Sequence, residues 1–159
     1  MSGALGLAVA AGLAAGCAGH MSPPAEGGGP LPGREGVTLA VSRQSCQRVE
    51  TAGPPPSRAL EVIVELRVQN DAGASIEMFP EAIRLSAPGG VAFDRSRWGA
   101  TEPIRVSSGD TDRIEIRFLN RGDLTCATSL RLDTAGSIVL LGRPLATDSI
   151  AFKPRLTVQ

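Results

Sequence analysis

The chain has no tyrosine, one tryptophan (Trp98), one histidine (His20) and one lysine (Lys153). So few aromatic side chains leave little with which to stack bases or sugars. The single histidine lies in a Gly/Pro-rich stretch, so the rest of the chain has no imidazole for general base chemistry or zinc ligation. Net charge is also missing: 16 basic and 16 acidic residues cancel. No electrostatic excess points to nucleic acid. The catalytic spacings G-x-S-x-G and H-E-x-x-H and a phosphate-binding glycine loop are absent too. No cofactor, metal or catalytic residue is expected, and the chain reads as a non-enzyme.

What it does have is an uncharged run, Ala4 to Leu13, that closes on Leu13-Ala14-Ala15-Gly16-Cys17. An apolar run ending in small residues is the pattern of an export signal and its cleavage site. The run is shorter than the ~20 apolar residues of a membrane span. Small residues leading directly into a cysteine resemble the lipobox of bacterial lipoproteins. The resemblance implies cleavage before Cys17 and a diacylglycerol on its sulfur, with acyl chains such as palmitate holding the protein to the membrane. The family's usual leucine three before the cysteine is here Ala14, and no Lys or Arg precedes Cys17. Ala18 after the cysteine, rather than Asp, implies the outer membrane. The alternative is an ordinary signal and a soluble secreted domain. Residues 1–16 are thus read as signal peptide and 17–36, with its Pro23-Pro24 and Gly27-Gly28-Gly29-Pro30, as a flexible tether.

The cysteine count follows from this. With Cys17 acylated, Cys46 and Cys126 remain as a pair in an oxidising compartment. Joined, they close a long loop, for which chain entropy gives roughly 4–5 kcal/mol. Two buried free thiols are the other reading.

Residues 37–159 have β texture. Val37, Leu39 and Val41 alternate with Thr38, Ala40 and Ser42. Leu60, Val62, Val64, Leu66 and Val68 alternate with polar residues broken only by Ile63, the mark of a sheet with one face in a core. Ile114, Ile116 and Phe118 repeat the pattern, and Asn70-Asp71-Ala72-Gly73, Pro88-Gly89-Gly90 and Asn120-Arg121-Gly122-Asp123 punctuate it as turns. About eight to nine short strands without an amphipathic helix predict an all-β, antiparallel two-sheet sandwich. The long strand Leu60–Asn70, followed by Ile83-Arg84-Leu85, Ser108-Gly109-Asp110 and Ile114–Phe118, resembles the immunoglobulin-like, telokin-like domains of small bacterial lipoproteins. That resemblance implies a fold and a surface location, but no shared catalytic residues.

Three smaller features carry candidate chemistry. Asp110 and Asp112 beside Gly109 offer too few oxygens for calcium. Arg121-Gly122-Asp123 spells an integrin-binding tripeptide, but it is also good turn chemistry. Arg95-Ser96-Arg97-Trp98-Gly99 falls in the longest inter-strand loop, Asp94 to Glu102, and Trp and Arg are the residues of interface hot spots. Arg95, Arg97 and Trp98 are therefore the candidate binding loop. The competing placement has Trp98 folding back to plug the open end of the core, and this is the one expected. The function these features support is a lipid-anchored envelope protein displaying a non-catalytic interaction module, with an envelope protein as its partner. The alternative is an exported enzyme working through carboxylates or a serine that no motif marks.

Overall fold

Fourteen strands and no α-helix make up residues 31–52 and 57–156, the part of the chain that the computed structural model describes. Of residues 31–34 only the backbone is described. The apolar run, Cys17, most of the tether and Gly53-Pro54-Pro55-Pro56 lie outside these residues. In chain order the strands are β1 (Leu31–Arg34), β2 (Val37–Thr51), β3 (Ser57–Asn70), β4 (Ile76–Met78) and β5 (Arg84–Ala87). Next come β6 (Val91–Ala92), β7 (Asp94–Arg95), β8 (Ile104–Val106), β9 (Thr111–Asn120) and β10 (Leu130–Asp133). Last are β11 (Ile138–Leu140), β12 (Arg143–Pro144), β13 (Ile150–Phe152) and β14 (Arg155–Leu156).

The alternation of Leu60 to Val68 places β3 at the centre of the largest sheet, ordered β1-β2-β3-β9-β7. β14 runs parallel to β2 along the later half of the edge that β1 borders earlier. Two four-stranded sheets, β13-β10-β5-β6 and β12-β11-β4-β8, complete the fold. The buried face of the large sheet presents Leu60, Val62, Val64, Leu66 and Val68 from β3 with Ile114, Ile116 and Phe118 from β9. These join Ile76, Met78, Leu85, Leu132, Ile138 and Ile150 of the two small sheets in a single hydrophobic cluster. Each such side chain contributes roughly 1.5–3 kcal/mol on burial, which makes this cluster the main source of stability.

β2 is longer than the sequence pattern predicts. The alternation that places Val37, Leu39 and Val41 inward stops at Ser42, where the register with β3 shifts. A bulge inserts one residue, and because side chains alternate with period two, the inward positions change from odd to even. Cys46 takes one of the inward positions beyond the bulge and is fully buried. It is bonded to Cys126, with Cα atoms 5.7 Å apart across 80 positions of sequence. Cys46 thus lies within the first long strand.

Two asparagines end β3 and β9. The Asn70 amide donates to the carbonyls of Ala74 (2.8 Å) and Val106 (2.9 Å), and its Oδ1 accepts from the Ala72 N–H. Asn120 donates to the Ala92 carbonyl at 3.2 Å and accepts from the Gly122 N–H at 2.8 Å. Both expected turns therefore form as Asx turns, in which the side chain replaces a backbone partner. Leu31–Arg34, within the stretch expected to be tether, pairs with β2 through the Glu35–Gly36 turn.

Candidate functional site

The outer face of the large sheet carries a groove of about 770 Å³ between the end of β2 and the bend that follows β7. Its floor is Glu61 of β3, only 6% exposed although its alternation assigns it to the solvent face. Gln47 Nε2 donates to Glu61 Oε2 at 2.7 Å, and the Arg117 guanidinium lies 3.8 Å from Oε1. Arg117 is itself held by Glu115 at 2.7 Å. A carboxylate under a wall of side chains needs such partners, since an unpaired buried charge is costly.

The wall opposite β2 is the segment expected to be a long free loop, and here the structure differs. Asp94 and Arg95 pair with β9, the Ser96 N–H donates to the Arg117 carbonyl and the Ala100 N–H donates to the Glu115 carbonyl, both at 2.9 Å. Between those two bonds the chain arches away from the sheet with Trp98 at its tip. Gly99 makes the arch feasible: its φ is +119°, and a Cβ there would lie 3.2 Å from the Glu115 carbonyl oxygen. Ser96 Oγ accepts from the Trp98 N–H at 3.2 Å. Arg95 clasps the base, donating to the Ala100 carbonyl at 2.7 Å with its guanidinium 5.3 Å from the Phe118 ring. Burial pushes this guanidinium's pKa below its usual value; Arg84 pushes the same way and Glu81 opposes.

Trp98 does not plug the core. Its residue is 62% exposed, and Arg97 covers the ring at 5.0 Å from the centroid. The expectation of a plug fails because the two backbone bonds at Ser96 and Ala100 hold the arch on the outer side of β9, while Phe118 and Phe93 are buried in the core. Of the three candidate loop residues, Arg97 and Trp98 are thus exposed at the tip of the arch and Arg95 braces its base. Residues not singled out in the sequence, Glu61, Arg117, Val49 and Leu119, complete the groove. Nothing in the pattern marked them, because each occupies an ordinary position on a polar face or strand end.

Arg121 of the Arg-Gly-Asp turn is engaged by Asp94 at 3.1 Å. Among the described residues no group of three or more His, Cys, Asp or Glu is placed to hold a metal ion, and no helix is long and apolar enough to cross a membrane. A smaller depression of about 480 Å³ lies beside Arg131, Asp133 and Ser149, where Arg131 Nε donates to Ser149 Oγ at 2.7 Å.

No family model and no curated protein sequence matches the chain. Among solved structures, the fold is similar to that of YcdA, a candidate lipoprotein of Bacillus subtilis, with a TM-score of 0.54 at 10% sequence identity. The match covers 82% of this chain and 39% of the other, so the chain spans about two-fifths of that protein's structure. At this identity the likeness is one of fold.

Proposed function

We propose that the protein is a lipid-anchored component of the cell envelope whose β-domain is a non-catalytic interaction module, with the Trp98 arch as its contact surface. The observation that carries the reading is the exposed indole, held at the edge of the large sheet with an arginine over its ring. Exposing so large an apolar group to water has no folding benefit, and Trp and Arg are among the residue types enriched at binding hot spots. The anchor rests on Ala15-Gly16-Cys17 and on the fold shared with a candidate lipoprotein. The outer membrane, through Ala18, and an immunoglobulin-like assignment for the sandwich belong to the same proposal.

The test uses the full chain in intact envelopes with a photo-crosslinking side chain at Leu119, inside the groove, or at Arg143, on a distant strand. The reading expects adducts from Leu119 that disappear with Trp98→Ala, and none from Arg143. Equal yields from the two positions overturn the contact surface. Fatty-acid labelling that survives Cys17→Ser overturns the anchor.

A further inference from the structure

We propose that the Trp98 arch docks on the headgroup layer of the bilayer that holds the Cys17 anchor; this rests on reading the arch as a contact surface and Cys17 as acylated. What the arch presents is a tip and not a charged wall. Arg95 braces its base beside Phe118, Arg117 and Arg121 are engaged by carboxylates, and Glu50 stands across the groove. Left at the tip are the indole, 62% exposed, and the exposed Arg97 over its ring, which makes no ion pair among the described residues.

That pair has the chemistry of the lipid–water boundary. An indole joins a broad apolar ring to one N–H donor and settles where acyl tails give way to headgroups. An arginine beside it keeps its charged head in the polar layer and donates in a fork to phosphate oxygens. A protein interface asks for more, since a hot-spot side chain there is ringed by contacts that exclude water. The other large apolar side chains that stand exposed, Val91, Leu141 and Leu156, line no part of the groove. A bilayer supplies the apolar surroundings itself.

The link to the anchor makes so small a contact sufficient, and its length permits it. Traced back from Arg34 to Leu31, β1 runs from Val37 toward Leu39, toward the half of β2 that ends in the groove. Leu31 and the arch lie roughly 25 Å apart, about four strand spacings across the large sheet and about four residues along it. The chain from Cys17 to Leu31 can span up to about 46–50 Å, so the arch reaches the layer in which the acyl chains sit. Docking is then intramolecular, at an effective concentration on the order of millimolar. A contact too weak to recruit the domain from solution suffices to orient it.

The experiment places the acylated protein in vesicles of phosphatidylethanolamine and phosphatidylglycerol and reads its one tryptophan. Trp98 emission is expected to shift to the blue of its water-like value away from lipid, to be shielded from iodide, and to be quenched by lipids brominated near the top of their acyl chains. With Trp98→Phe and Arg143→Trp combined, the only indole stands on the distant β12, and its emission is expected to stay water-like and unquenched by the lipid. Arg97→Glu should lose both the shift and the lipid quenching while melting with the parent. Trp98 emission open to iodide and untouched by brominated lipid overturns the proposal. So does equal lipid quenching from the two positions, or indifference to Arg97→Glu. Protein that does not stay on the vesicles overturns the anchor and the proposal with it. If the vesicle result fails, Leu119 adducts to a protein that vanish with Trp98→Ala keep the contact surface and overturn only the bilayer as its partner; if no adduct forms, the contact surface falls too.

Discussion

Leu141 shows how a single residue can sit against its own preference. It begins the two-residue loop between β11 and β12, with φ of +50° at Leu141 and +75° at Gly142. That left-handed pair is the geometry in which Asn-Gly is favoured, whereas a leucine Cβ crowds the backbone. Nothing offsets the strain through packing, since Leu141 is 79% exposed. Leu141→Asn should therefore raise stability by about 1 kcal/mol, read as a higher denaturant midpoint at unchanged slope. A lower midpoint would mean that the leucine makes a contact this structure does not contain. Glu61 is the opposite case: its exposure was expected from alternation, yet Gln47, Arg117 and the Trp98 wall enclose it. Alternation tells which face a residue is on, not whether another segment covers that face.

Strands and turns were legible where one local rule decided them. The Glu35–Gly36 turn between β1 and β2 is packed against the start of the β3–β4 turn, where the Asp71 N–H donates to the Gly36 carbonyl at 2.7 Å. Gly36 has φ of +82°, and a Cβ there would stand 2.8 Å from the Asp71 carbonyl carbon. Gly36→Ala should thus lower stability by more than ~1 kcal/mol, through strain and displacement of the neighbouring turn. An unchanged melting curve would show that β1 is not fixed to the sheet in this way. β3 and β9 could be read directly from their apolar alternation, and Asn70 and Asn120 from their turn chemistry. The second half of β2 could not, because the bulge at Ser42 reverses the phase and leaves Gln44 and Arg48 among the inward positions. The arch was read as a free loop because its hydrogen bonds go to the carbonyls of β9, distant in sequence, and Arg95-Ser96-Arg97 has no periodicity to reveal them. β12 and β14 are two residues each, too short for any pattern.

At the scale of the whole molecule, the disulfide joins β2 of the large sheet to the segment that leaves β9 for β10 of a small sheet. It therefore fastens one layer to the crossing into another. Replacing both Cys46 and Cys126 by Ala should lower stability by roughly 2–5 kcal/mol, most of it through the greater freedom of the unfolded chain. A melting temperature insensitive to that double substitution would mean that the bond does little in solution. The arch draws its geometry from β9 of the large sheet, through the backbone bonds at Ser96 and Ala100. The central claim is that this seating on β9 presents the Trp98 indole to a partner instead of burying it. Because the chain has one tryptophan and no tyrosine, its intrinsic emission reports that ring almost alone. The most direct measurement is therefore the tryptophan emission of the folded protein, with iodide as quencher. The account predicts a water-like, red-shifted maximum and ready quenching, assisted by the positive charge of Arg97 beside the ring. A blue-shifted maximum resistant to iodide, in protein that still melts cooperatively, would place the indole in the core and contradict it.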